Sequence, residues 1–92
     1  MVYSMYSVLD ANIGYGMPIC QENDAVAMRS FENACSQLGS IYNTHPGDFT
    51  LYYVGTFDTS SGVLEFEEHR RVCSALDFVG NLNNERSLHG IS

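Results

Sequence analysis

From Val2 to Leu9 the chain reads VYSMYSVL, dense in β-forming residues, and Asp10-Ala11-Asn12 then supplies turn chemistry ahead of Gly14 and Gly16. A strand followed by a turn is predicted. The next apolar piece, YGMPIC, contains Pro18, which has no N–H to give to a ladder and restricts the segment to a short edge strand. After Asn23 or Asp24, either of which can cap a helix, Ala27, Met28, Phe31, Ala34, Cys35 and Leu38 recur at spacings of three and four. Arg29, Ser30, Glu32, Asn33, Ser36 and Gln37 fall on the other side, and Gly39 stands where a left-handed residue ends a helix. The pattern predicts one amphipathic helix, Asp24 to Leu38, lying across one face of a sheet.

The following stretch, SIYNTHPGD, is rich in turn residues and reads as a loop. Phe49, Leu51, Tyr53 and Phe57 then alternate with Thr50, Tyr52, Val54 and Thr56, as expected for a strand with its first set under the helix and Tyr52 and Val54 on the opposite face. Gly55 interrupts the apolar set and suggests a close approach by a neighbour. Asp58 to Gly62 has the residues of a hairpin loop, with Gly62 at a positive-φ position, and a second strand is expected from Val63 to about Phe66. VCSALDFV is apolar enough to dock on the body. The sum is an α+β fold, an antiparallel sheet of about four strands in hairpin-helix-hairpin order with one helix on one face. The first and third strands, being the longest and most apolar, are expected at the centre. Residues 1–80 form a single domain in this reading, and 81–92, polar and Asn-rich, a flexible tail.

Composition adds a restriction that the pattern does not show. Of 92 residues, 45% are apolar and 12% aromatic, which suits one globular domain with an aromatic core. The formal charge is -7: eleven acids face four arginines, Arg29, Arg70, Arg71 and Arg86, and there is no lysine. The charge that dominates non-specific binding to polynucleotides is therefore largely missing. Cys20, Cys35 and Cys73 make no C-x-x-C pair and an odd count, so reduced thiols in a cytosol are expected rather than a disulfide framework. No leader-like segment and no apolar run of about 18–20 residues is visible, and no membrane partner is expected.

Four blocks resemble a known family. Tyr6, Ser7, Val8 and Asp10 match an N-terminal strand motif, Gly16 to Cys20 a Pro-containing piece, Ala25 to Phe31 (AVAMRSF) a helix motif, and His45 to Gly62 (HPGDFTLYYVGTFDTSSG) a strand-and-turn block. Together, over about Tyr6 to Leu64, they look like the small nonstructural protein of the gokushoviruses, single-stranded DNA phages of the Microviridae. The resemblance implies a protein absent from the mature capsid and made in the host bacterial cytoplasm. It also implies a DNA-binding accessory of genome replication and packaging.

The residues offer few sites of their own. Tyr52 and Tyr53 could stack bases as a single-strand platform with Tyr3 or Tyr6, or simply pack. Arg29 on the helix and the Arg70-Arg71 pair are the candidate phosphate contacts, against the plainer reading of solvated, carboxylate-paired arginines. Glu65, Glu67 and His69 offer a metal an E-x-E-x-H set if the strand stays regular that far; the same alternation describes a charged edge strand with Leu64 and Phe66 turned inward. No metal site, catalytic set or cofactor loop is expected, and the chain reads as nonenzymatic. Two functions stay open: an accessory that contacts single-stranded DNA, with basic residues of two subunits converging, or an acidic adaptor that binds a basic phage or host replication protein. An uncovered sheet face with exposed aromatics points to a homodimer.

Overall fold

The computed structural model describes residues 1–79. Strand β1 (Val2–Asp10) is followed by two short strands, β2 (Gly14–Tyr15) and β3 (Ile19–Gln21), both antiparallel to it on one edge. Helix α1 (Asp24–Ser36) and a single helical turn α2 (Ile41–Thr44) lead to the long hairpin of β4 (Phe49–Asp58) and β5 (Leu64–Ser74). Among the described residues the sheet has five strands in the order β2-β1-β4-β5, with β3 also on β1, so β1 and β4 are the central pair. This is the expected α+β hairpin-helix-hairpin arrangement with one more short strand.

Helix α1 starts where its cap is strongest. The Asn23 side chain accepts the Val26 N–H at 3.0 Å, and Asp24 places a carboxylate at the positive end of the helix. Ala27, Phe31 and Cys35, four apart, are its buried residues. They close on Tyr6, Phe49, Leu51 and Cys73 of the sheet, with Ala75 and Val79 following from the end of β5. Tyr42 of α2 stands between Phe31 and Phe49 in edge-to-face contact, with centroids 5.7 and 4.8 Å away. Burying one such phenylalanine stabilises the fold by about 1.5–3 kcal/mol.

Several expectations need correction. Helix α1 ends at Ser36, not Leu38; Leu38 is 85% exposed, and Gly39 turns the chain at φ +85° two residues past the cap at Gln37. The SIYNTHPGD segment is more regular than a loop, because Ser40 caps α2 and Pro46 opens a 3-10 turn at Pro46–Asp48. Strand β5 continues eight residues beyond Phe66, since the ladder to β4 holds even where its side chains are charged. The alternation in β4 also fails after Tyr53. A register shift between Tyr53 and Gly55 leaves Val54 as an extra residue, so Phe57 pairs with Tyr3 and faces away from the helix. The turn at Asp58–Gly62 is as read, with Gly62 at φ +75° and its N–H donating to Asp58 O at 2.7 Å.

Candidate functional site

Two surfaces and a clasp between them account for the candidate residues. The clasp forms where Tyr6 of β1, Tyr53 of β4 and Arg70 of β5 lie side by side across the sheet, beneath the start of α1. Arg70 donates to both oxygens of Asp24, at 2.8 and 3.2 Å, and its guanidinium lies 4.8 Å from the centre of the Tyr53 ring. The Tyr6 hydroxyl donates to Asp24 Oδ1 at 2.6 Å, and the Tyr53 hydroxyl donates to Glu67. The Arg70 guanidinium, and after it the Tyr6 hydroxyl, holds the Asp24 carboxyl below the usual range. Burial, reinforced by the Asp24 hydrogen bond, pushes the Tyr6 phenol up to about 12. Tyr53 is raised by its bond to Glu67. Of the candidate contacts, then, Tyr53 and Arg70 are engaged in tying the helix to the edge strand.

Tyr52 points the other way. On the face that no helix of the described residues covers, its ring meets Tyr15 of β2 at 5.8 Å and His69 of β5 at 6.5 Å, and Tyr15 meets His69 at 4.8 Å. Beside this trio lies an open groove of about 220 Å³ lined by Ser7, Tyr15, Gly16, Pro18, Val54, Phe66 and His69. The ladder places Tyr3, Met5, Gly55, Phe57, Leu64 and Phe66 on the same face. Leu64 and Phe66 are therefore not turned inward under the helix; Phe66 is 81% exposed. Arg71 aligns with Tyr52 at the border, where it pairs with Asp77 at 3.3 Å. Asp77 also accepts the Ser74 N–H and so fixes the turn that carries it.

The opposite face of the hairpin's far half is polar. Ser4, Thr56 and Glu65 lie in register there, and a shallow depression of about 240 Å³ is lined by Val2, Thr56, Asp58, Ser61, Val63 and Glu65. With Glu67 on that side and Glu68 in the irregular stretch of β5, this arm carries four of the chain's eleven acids, Asp58 included. The three described arginines do not converge: Arg29 is exposed on the outer side of α1 beside Asn23, Ala25 and Val26, whereas neighbouring Arg70 and Arg71 diverge to opposite faces. Arg86 lies outside the described residues, as does the tail 81–92.

The chemistry of catalysis and metal binding finds no assembly among the described residues. The β5 irregularity sends Glu67 to Tyr53 and His69 to Tyr15, so the E-x-E-x-H set splits between two faces, and no cluster of three or more ligating side chains forms. Cys35 and Cys73 are buried, and burial pushes both thiols up to about 11, which keeps them poor nucleophiles. His45 Nδ1 meets the Thr44 hydroxyl at 2.9 Å in the bend before β4.

Sequence reasoning missed Tyr15 and the Asp24–Arg70 pair, 46 residues apart. The only signal for the pair is an acid at the first turn of a helix in a chain with few cations. Compared with known proteins, the chain matches a family described as Phage ORF5 protein over residues 3–78. No curated protein and no solved structure matches it.

Proposed function

The chain belongs to the Phage ORF5 protein family, and on that premise we propose that it is a nonenzymatic accessory of single-stranded DNA genome replication or packaging that works as an acidic adaptor. The resemblance of Tyr6–Leu64 to the gokushovirus small nonstructural protein supports the replication and packaging role in the host cytoplasm. The observation that carries the adaptor reading is the pairing of Arg70 with Asp24 and of Arg71 with Asp77, while Asp58, Glu65, Glu67 and Glu68 line an extended arm. A partner meets carboxylates there, and a basic phage or host replication protein is the complementary chemistry.

A second reading has one observation in its favour. Tyr15, Tyr52 and His69 present ring edges and faces on an uncovered surface next to Arg71, an arrangement on which bases of single-stranded DNA can stack for about 1–3 kcal/mol each. In that reading Arg71 and the rings of Tyr52 and Tyr15 make the contact, with Arg29 too far round the helix to join it.

Titration of labelled single-stranded DNA with the full chain at low and moderate salt tests the two. The adaptor reading expects no binding at low salt, where charge effects are largest, and salt-sensitive capture of a polycationic probe such as polylysine, lost on Glu65→Gln/Glu68→Gln. Tight DNA binding with a steep salt slope, removed by Tyr52→Ala, overturns it in favour of direct contact.

A further inference from the structure

We propose that the uncovered face of the sheet is the interface of a homodimer, in which Tyr3, Phe57, Leu64 and Phe66 of two copies pack against each other around a two-fold axis. The observation that starts the argument is a second apolar layer left half-built. Met5 and Val54 are 4% and 7% exposed, yet neither belongs to the core under α1. They are the floor of the opposite face, where Gly55 keeps the backbone of β4 close to β5. Above that floor nothing in the described residues closes the layer: Phe66 is 81% exposed, Leu64 52% and Tyr15 48%. A phenylalanine left in water beside a buried methionine and valine forgoes most of the roughly 1.5–3 kcal/mol that its burial supplies.

Charge selects the occupant. The residues that the ladder pairs on this face include no carboxylate, Glu68 falling in the unpaired stretch between Phe66 and Arg70; the row runs Tyr3, Met5, Ser7 on β1, Tyr52, Gly55, Phe57 on β4, and Leu64, Phe66, Arg71 on β5. Asp24, Glu65 and Glu67 lie on the helix side. Two copies of a chain with net charge -7 repel through most of their surface, and this is the face on which they meet with their acids directed apart. Beside the residues that the ladder pairs, a basic protein would find on it only the Asp77 carboxylate, already held by Arg71, and a polynucleotide would find only that same arginine.

The size is also right. Ten residues of β4 at about 3.3 Å each and three long strands about 4.8 Å apart, with the short strands β2 and β3 along one edge, give a flat outline of roughly 550 Å². Side-chain relief raises the accessible area toward the ~800 Å² that each partner contributes to a stable interface. Two such sheets stack about 10 Å apart with strands near -30°, the geometry of an aligned sandwich, and the contact closes on itself because both partners use the same patch. The acidic arms then lie on the two outer surfaces. The dimer is independent of the adaptor role, whereas it competes with base stacking on Tyr52 and Tyr15, which share its face.

Sedimentation equilibrium of the full chain, with light scattering, tests it. The expected mass is that of two chains at high concentration and one on dilution, with little loss of dimer in moderate salt because the interface carries no ion pairs. Phe66→Glu is expected to give one chain at concentrations where the parent is fully paired, with an unchanged far-ultraviolet spectrum, since so exposed a ring does not hold the monomer together. Val26→Glu, on the outer side of α1, leaves the mass unaltered. Amide chemical shifts on dilution provide a second readout, with changes at Tyr3, Phe57 and Phe66 and none on the exposed side of α1. A single-chain mass at every concentration overturns the proposal. So does a Phe66→Glu chain that still pairs, which would place the contact along the free edge of β5.

Discussion

Asp24 shows how much one carboxylate can organise in a small domain. It begins α1, receives both Arg70 nitrogens and accepts the Tyr6 hydroxyl, so a single side chain joins the helix to the first and last long strands. Arg70 and Asp24 are 53% and 41% exposed, and water discounts the ion pair to the order of 1 kcal/mol or less; the hydrogen bond from the fully buried Tyr6 adds a comparable amount. Asp24→Asn is expected to destabilise the chain by about 1–2 kcal/mol at neutral pH in urea unfolding. The sign with pH follows from the depressed carboxyl: its contribution is complete above the unfolded value near 4 and is lost as pH falls through the lower folded value. The gap between the parent and Asp24→Asn is therefore expected to narrow below about pH 4 and to close in stronger acid. A gap that stays constant to low pH would mean that the carboxylate's charge contributes nothing.

At the scale of elements, the sequence made legible whatever has a clean period. Helix α1 follows from Ala27, Phe31 and Cys35 at four-residue spacing, and β1 and β4 from runs of β-forming residues, which also placed them at the sheet's centre. Irregularities of register were invisible, because Val54-Gly55 reads as ordinary alternation with a small residue in it. Strand β5 reads too short for a related reason: between Phe66 and Val72 it carries only Glu, His and Arg, and its strand form comes from hydrogen bonding to β4 rather than from a buried stripe. Ordinary alternation parts Tyr52 from Tyr53 and Arg70 from Arg71, and the irregularity adds the separation of Glu67 from His69. Gly55 is the residue that allows the two strands to approach there. A Cβ built on it would overlap the Glu65 carbonyl, lying 3.1 Å from its carbon and 3.2 Å from Phe66 Cα, on a backbone at φ +156°. Gly55→Ala is accordingly expected to lower stability by about 1–3 kcal/mol in urea. An unchanged midpoint would show that the hairpin can re-register without loss.

Across the described residues, the helix side of the sheet is closed and the other side is open, and the three cysteines report on that asymmetry. Cys35 and Cys73 lie in the closed layer at 0% and 2% exposure, while Cys20 on the short edge strand β3 is exposed. With thiols pushed up to about 11, the buried pair holds only ~0.1% thiolate near pH 8, and the reagent cannot reach even that fraction until the core opens. Reaction of the native chain with a colorimetric disulfide reagent is expected to release one equivalent rapidly, from Cys20, and the other two slowly at a rate set by opening of the fold. Gly55→Ala should then accelerate the slow phase by about the factor by which it shifts the unfolding equilibrium, roughly 5- to 150-fold for 1–3 kcal/mol, without changing the fast one. Two rapid equivalents would show that Cys73, and with it the seam between β5 and the helix, opens apart from the rest. In that case the acidic arm would be a separately mobile unit rather than a rigid extension of the core.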